Sequence, residues 1–262
     1  MKKVMFAAAV AAAGGLMAIE SANVVGYNTD TITAKKFNMV SVPFEGTDGK
    51  GFKLDQCLSG VDLTGTDSYM TADQIQFWDA ATGAYENWYY YEAGDEYTGW
   101  WDVITQTKMF EDQYPNGLPA GTAFWYKSAA AAAKNGSVVV AGQVPTVASV
   151  DFEILPGKFN MVANAYPVAL KLNDSTQVDW KNSHGTDSYM TADQIQIWDA
   201  ATGAYENWYY YNAGDEYTGW WDVITQTKMF EDVYPNGLPV GKPFWYKAAA
   251  TGGSAFDITF KK

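Results

Sequence analysis

Cysteine and histidine are nearly missing from this chain, each occurring once in 262 residues, as Cys57 and His184. One cysteine excludes a disulfide framework and a cysteine-based metal cluster, and a lone thiol of this kind is ordinarily a half-buried structural group. One histidine excludes a multi-histidine metal site and leaves Ser-His-Asp or Cys-His chemistry short of its base. No glycine-rich phosphate cradle and no nucleophile elbow is present. Basic residues are also scarce: 17 lysines and arginines face 30 aspartates and glutamates, a formal charge of −13. Nucleic acid and anionic lipid surfaces would be repelled, so neither is expected as a partner. After the first residues no apolar run approaches the length of a membrane helix, and no segment shows the sustained alternation of an outer-membrane barrel.

The first residues, MKKVMFAAAVAAAGGLMA, place two lysines before a short apolar run that ends in small residues. That is the layout of a secretory signal, so the protein is expected to be exported, as a secreted, cell-surface or periplasmic product. Cleavage after Ala18 or Ala22 fits, and removal of residues 1–22 leaves the remainder one unit more negative. With 48% hydrophobic and 18% charged residues, the rest has enough apolar surface for a packed core.

What the chain has in abundance is one long string, twice. GTDSYMTADQIQFWDAATGAYENWYYY from Gly65 returns from Gly185, and the match continues to Trp125, Tyr126 and Lys127. The copies differ at Phe77/Ile197, Glu92/Asn212, Gln113/Val233, Ala120/Val240, Thr122/Lys242 and Ala123/Pro243. A looser match pairs KFNMVSVPF (36–44) with KFNMVANAY (158–166). The repeat of roughly 120 residues is the size of a domain and too long for a solenoid turn. We therefore expect a first copy over 23–145 and a second over 146–262, meeting near Pro145, with avidity for a repeating target if both copies bind. His184 corresponds to Thr64, so the histidine belongs to one copy only.

Within a copy the signals are mostly β. NVVGYNTDTITAKKFNMVSVPF reads as two short strands joined as a hairpin around Ala34–Lys36, and ASVDFEIL takes the place of its first strand in the second copy. GFKLDQCLSG is the one segment that reads as a short helix. DQIQFWD alternates Ile75 and Phe77 with Gln74, Gln76 and Trp78, as a half-buried strand does. AATGA supplies a turn in which Gly83 takes positive φ, and YENWYYY returns. GLPAGTAFWYKSA, GSVVVAGQV and, in the second copy, GGSAFDITFKK read as later strands. The expected fold class is mainly all-β: two tandem β-sandwich or barrel-like modules, each with one short helix.

KFNMVSVP (36–43), WDAATGAY (78–85) and LPAGTAFWY (118–126), with their second-copy equivalents, resemble a class of secreted bacterial β-repeat proteins. Members of that class carry a G-F/W-N-L/M-V/I opening, a W-D-x-A-T-G-x-Y hairpin and a late L-x-x-G-x-x-F/Y-W strand. Lys36 departs from the usual opening glycine, whereas Pro156 and Gly157 come closer to it. The resemblance implies a β-rich, exported, surface-type protein and assigns no catalytic residue.

WYYYEAGDEYTGWWD, residues 88–102, concentrates rings and carboxylates. On a strand, Tyr85, Asn87, Tyr89 and Tyr91 share one face and Glu86, Trp88 and Tyr90 the other. EAGDEYTG then reads as an exposed loop leading to Trp100 and Trp101, one of which packs inward. Rings beside carboxylates and amides suit stacking on sugar faces with hydrogen bonds to hydroxyls. The candidate ligand-binding residues are Trp88, Tyr90, Asp95, Glu96, Tyr97, Trp100 and Trp101, with Trp208, Tyr210, Asp215, Glu216, Tyr217, Trp220 and Trp221. No catalytic or metal-ligating residue is assigned, and no cofactor. Calcium is the one ion that Asp95, Glu96, Asp102, Glu111 and Asp112 would suit, although they form no D-x-D-x-D-G loop.

The sequence thus reads as a non-catalytic interaction protein whose partner is a glycan or another cell-surface component. Self-association, as an envelope or matrix component, is the alternative. A carboxylate-dependent glycosidase is the remote one, because a pair of acids is all that chemistry needs.

Overall fold

The computed structural model describes residues 25–46, 50–58, 60–94, 96–129, 137–214, 216–249 and 253–262. The expected signal segment 1–22 and its cleavage sites lie outside the described residues, as do the candidate site residues Asp95 and Asp215.

Strands dominate, as the alternation of DQIQFWD and YENWYYY predicts. In the first half the order is β1 (Val25–Thr31), β2 (Phe37–Ser41), α1 (Leu54–Cys57), β3 (Gln74–Asp79), β4 (Ala84–Tyr91), β5 (Gly99–Asp102), α2 (Phe110–Gln113), β6 (Ala123–Lys127) and β7 (Ser137–Gln143). In the second it is β8 (Ser149–Ile154), β9 (Phe159–Val162), β10 (Val178–Asp179), β11 (Gln194–Asp199), β12 (Ala204–Tyr211), β13 (Gly219–Asp222), α3 (Phe230–Val233), β14 (Phe244–Lys247) and β15 (Phe256–Lys261). Two five-stranded antiparallel sheets result, β2-β6-β3-β4-β5 and β9-β14-β11-β12-β13, with the same order of equivalent strands. A two-stranded ribbon, β1-β7, accompanies the first sheet and a three-stranded one, β10-β15-β8, the second. None of these sheets closes into a barrel.

The β3–β4 hairpin turns where expected. Asp79 accepts the Ala81 amide at 2.8 Å and the Thr82 hydroxyl at 2.7 Å, while Gly83 adopts φ +69°. An Asx turn followed by a left-handed glycine closes the loop cheaply. Cross-strand partners share a face. Ile75 therefore sits opposite Trp88, and both are buried with Phe77, Phe110, Phe124, Val138 and Val140 in one core. Its counterpart gathers Ile195, Ile197, Trp208, Phe230, Phe244, Ile258 and Phe260. The ribbon strands β7 and β15 thus cover the core face of each five-stranded sheet. Cys57 is buried among these apolar residues, and burial, reinforced by the nearby Asp55 charge, pushes its thiol well above the usual range.

The expected β1–β2 hairpin is not formed. The chain does turn at Ala34–Lys35, where the Asn38 side chain bonds both the amide and the carbonyl of Thr33. The strands then diverge, β1 pairing with β7 and β2 with β6. Burial explains the split. β1 alternates exposed and half-buried residues, fitting an outer ribbon, whereas Met39 to Ser41 of β2 are buried on both faces. Lys35 carries the turn at φ +58°, where the second half uses Gly157 at φ +69°.

The second covered face of β2 comes from the other half. Met39, Trp125 and Trp245 form a third buried cluster, flanked by Phe37, Trp78, Met161 and Trp198. Its contacts are reciprocal. Trp78 meets Trp245 edge to face at 5.4 Å, and Trp198 meets Trp125 at 5.6 Å. Trp78 Nε1 donates to the Phe159 carbonyl at 2.6 Å, and Trp198 Nε1 to the Phe37 carbonyl at 3.0 Å. When residue i of one copy meets j of the other and j meets i, a local two-fold axis relates them.

Candidate functional site

The aromatic string divides between two faces: on the outer one Tyr91, Tyr97 and Trp101 with their copies are at least partly exposed, whereas Tyr89 and Tyr209 on that same face are only 2–3% exposed. Trp88, Trp100, Trp208 and Trp220 are 0–3% exposed. Trp88 lies edge-on against Phe110 at 5.2 Å, and Trp220 against Trp180 at 5.0 Å. These four expected ligand contacts are core instead, because their faces continue the Ile75 and Ile195 side of each sheet. Tyr90 and Tyr210 lie on that same side, tilted against Trp100 and Trp220. They also belong to the core face, half-buried.

The opposite face collects a different set. Tyr89, Tyr91, Tyr97, Trp101 and Gln106 line a cavity of about 220 Å³. Tyr209, Tyr211, Tyr217, Trp221 and Gln226 line its equivalent of about 280 Å³. Of the expected residues, Tyr97, Trp101, Tyr217 and Trp221 stand here. Tyr89, Tyr91, Gln106 and their copies were not among them. Strand parity could have supplied the tyrosines, since odd-numbered positions of β4 face away from Trp88. Glu96 and Glu216 are exposed in the adjoining turn and do not line the cavity.

Local structure builds each wall. β5 places Trp101 opposite Tyr89, and Tyr91 opposite Gly99. The Trp101 indole N–H donates to the Tyr97 carbonyl at 2.8 Å, which folds the preceding turn over the ring; Trp221 does the same with Tyr217. Successive rings meet edgewise: Tyr89 and Tyr91 at 6.4 Å, Tyr91 and Trp101 at 6.3 Å, Tyr97 and Trp101 at 6.3 Å. The indole is held by its own chain, so its position does not depend on a ligand.

The fifth wall residue is held by a carboxylate. Asp102 accepts the amides of Thr105, Thr107 and Lys108 at 2.6, 3.1 and 3.0 Å, and the Thr105 hydroxyl as well. Partial burial raises this carboxyl, but those bonds outweigh it and bring it down to about 2. Asp222 repeats the arrangement and is lowered likewise, burial being outweighed by the same set of bonds. Gathered around the anion, the loop carries Gln106 at φ +54° and Gln226 at φ +57°, conformations that L-residues avoid. Strained backbone of this kind concentrates at functional sites.

Chemically the cavity offers ring faces, phenolic hydroxyls and an exposed amide. Burial, then the charges of Asp102 and Asp67, raises the Tyr89 hydroxyl, so it stays protonated; Tyr209 is raised by burial and by Asp222 and Asp187. Among the described residues no group of three or more His, Cys, Asp or Glu side chains could hold a metal ion. Asp102, one of the acids suited to calcium by type, is already bonded to its own loop.

A larger cavity of about 500 Å³ is bordered by Gly157, His184, Met190, Thr191, Ala192, Lys247, Ala248 and Ala249. Small and aliphatic walls predominate there, and among the described residues the His184 imidazole is the one ring on its border. Below it, Asp193 accepts the amides of His184 and Ala249 at 2.8 and 2.6 Å and the Tyr246 hydroxyl, a structural tie. Among the described residues no helix is long and apolar enough to cross a membrane. No family model, no curated protein and no solved structure matches the chain.

Proposed function

We propose that the protein is an exported, non-catalytic glycan-binding or adhesive protein whose binding elements are the two aromatic cavities. One observation carries this reading: the same three tyrosines, one tryptophan and one left-handed glutamine are assembled twice. Sugar rings present apolar faces that stack on such aromatics, and their hydroxyls bond phenols and amides. A shallow, ring-walled site favours recognition of a segment over deep enclosure of a small molecule. Net negative charge directs the choice toward neutral glycans.

A glycan-array screen of residues 23–262, with and without calcium, tests the reading. Binding to neutral glycans by the wild type, lost in the Tyr97→Ala/Tyr217→Ala double variant, is the expected result. Silence across the array would overturn it.

A further inference from the structure

Two copies of one site suggest avidity on a single repeating strand, yet the symmetry that relates them points elsewhere. The reciprocal tryptophan contacts place a local two-fold axis between the five-stranded sheets. Around it Tyr205 accepts the Trp245 indole N–H at 3.2 Å, and Tyr85 is bonded to Trp125 in the same manner. Tyr85 and Tyr89 lie on one face of β4, four residues or about 13 Å apart along the strand. Tyr205 and Tyr209 repeat that spacing on β12. Each cavity is therefore fixed to the axis through a single rigid strand. Neither cavity borrows a residue from the other half.

A two-fold axis constrains what two identical sites can share. A glycan strand has direction, with distinct reducing and non-reducing ends. A straight strand passing through both sites must cross the axis, and rotation about that axis reverses it. The second site would then meet the strand backwards. The same pose in both cavities requires two strands, or one that doubles back.

Resting on the glycan-binding reading above, we propose that each molecule bridges two separate glycan strands and does not grip one strand twice. The protein is then a two-headed cross-linker of neutral polysaccharide, with the tryptophan contact between its halves as the rigid spacer. Across that contact Ser41 Oγ also donates to the Gly241 carbonyl at 2.9 Å, and the Lys242 charge of the second half acts on Asp30 of the first.

Gels containing hydroxyethyl cellulose, galactomannan, arabinoxylan or dextran measure binding by retardation, and turbidity of the same mixtures measures cross-linking. The proteins compared are wild type, Tyr97→Ala, Tyr217→Ala and the double variant. Tyr97 and Tyr217 are half exposed and hold the indoles through backbone carbonyls, so these variants keep the fold. Bridging predicts that the wild type is retarded by at least one polymer and clouds it, with turbidity passing through a maximum as protein is added. Each single variant should bind that polymer about two-fold more weakly, by loss of one of two independent sites, and should not cloud it. Single variants weakened ~100-fold or more, with no turbidity from the wild type, would mean that both sites share one strand by avidity. That outcome overturns the bridging proposal and leaves the glycan reading standing. No retardation by any polymer would overturn both.

Discussion

Trp78 donates its indole N–H to the carbonyl of Phe159 at 2.6 Å, joining the hairpin end of one five-stranded sheet to the edge strand of the other. Trp198 and Phe37 repeat the bond in the opposite sense. A duplicated chain has in this way acquired an internal interface of the kind usually made by two identical subunits.

The interface predicts a coupled unfolding. Replacing both Trp78 and Trp198 with Ala removes two half-buried rings and two hydrogen bonds, a loss of roughly 2 kcal/mol at each position. Calorimetry should show one transition in the wild type and two, one for each half, in the double variant. One unshifted transition in the double variant would show that these contacts contribute nothing.

Neighbouring tryptophans should answer differently to truncation. Trp100→Ala or Trp220→Ala opens a cavity in a packed core and should cost about 3–5 kcal/mol. Tyr97→Ala and Tyr217→Ala remove side chains 53% exposed and should leave denaturant midpoints almost unchanged. A small effect at Trp100 would place that ring outside the core.

The left-handed glutamines predict a trade of stability against binding. That conformation costs an L-residue about 1–2 kcal/mol, partly offset by the extra unfolded-state freedom of glycine. Gln106→Gly and Gln226→Gly should therefore each stabilise by about 0.5–1 kcal/mol while weakening glycan binding. Lys35→Gly, at φ +58° and away from the cavities, should stabilise similarly with binding intact. Equal effects on binding at all three positions would remove any special role for the glutamines.

Much of this architecture was legible in the sequence, but unevenly. Period-two alternation located β3 and β4, and AATGA with its Gly83 located their turn, because both signals are local. The partner of β1 was not legible: a turn at Lys35 looks the same whether the flanking strands pair or diverge, and only burial on both faces of β2 separates them. Composition pointed to Trp101 and Tyr97, which line the cavity, and equally to Trp88 and Trp100, which are core. Ring content alone does not tell core from cavity. Parity with Ile75 does, once the register of β3 against β4 is known. Gln106 was hidden because its position depends on Asp102 gathering three amides, an effect of loop geometry with no periodic signature.

Stability should vary with pH in two opposite windows. Burial raises Asp30 to about 6, against smaller lowering by the Lys242 charge and the Asn28 amide. A raised carboxyl means that the native state holds a proton the unfolded chain releases. Unfolding free energy should thus fall as pH rises from roughly 4 to 6, and then level off. Asp193, also raised by burial, adds the same sign. Asp102 and Asp222 act oppositely: their contribution is present above the ordinary carboxylate range and is lost as pH falls through their lowered values, about 2 for Asp102. Denaturant titrations of wild type and Asp30→Asn check this. The variant should lose part of the slope between pH 4 and 6, and an unchanged slope would remove Asp30 from the account.

The most direct measurement is a calorimetric titration of the protein with a neutral hexasaccharide that scores on the array, run beside the Tyr97→Ala/Tyr217→Ala double variant. Two equivalent sites per chain in the wild type, and no binding heat from a double variant that still unfolds cooperatively, is the predicted result. A single site per chain, or full binding by the double variant, would contradict the assignment of the paired aromatic cavities as the binding elements.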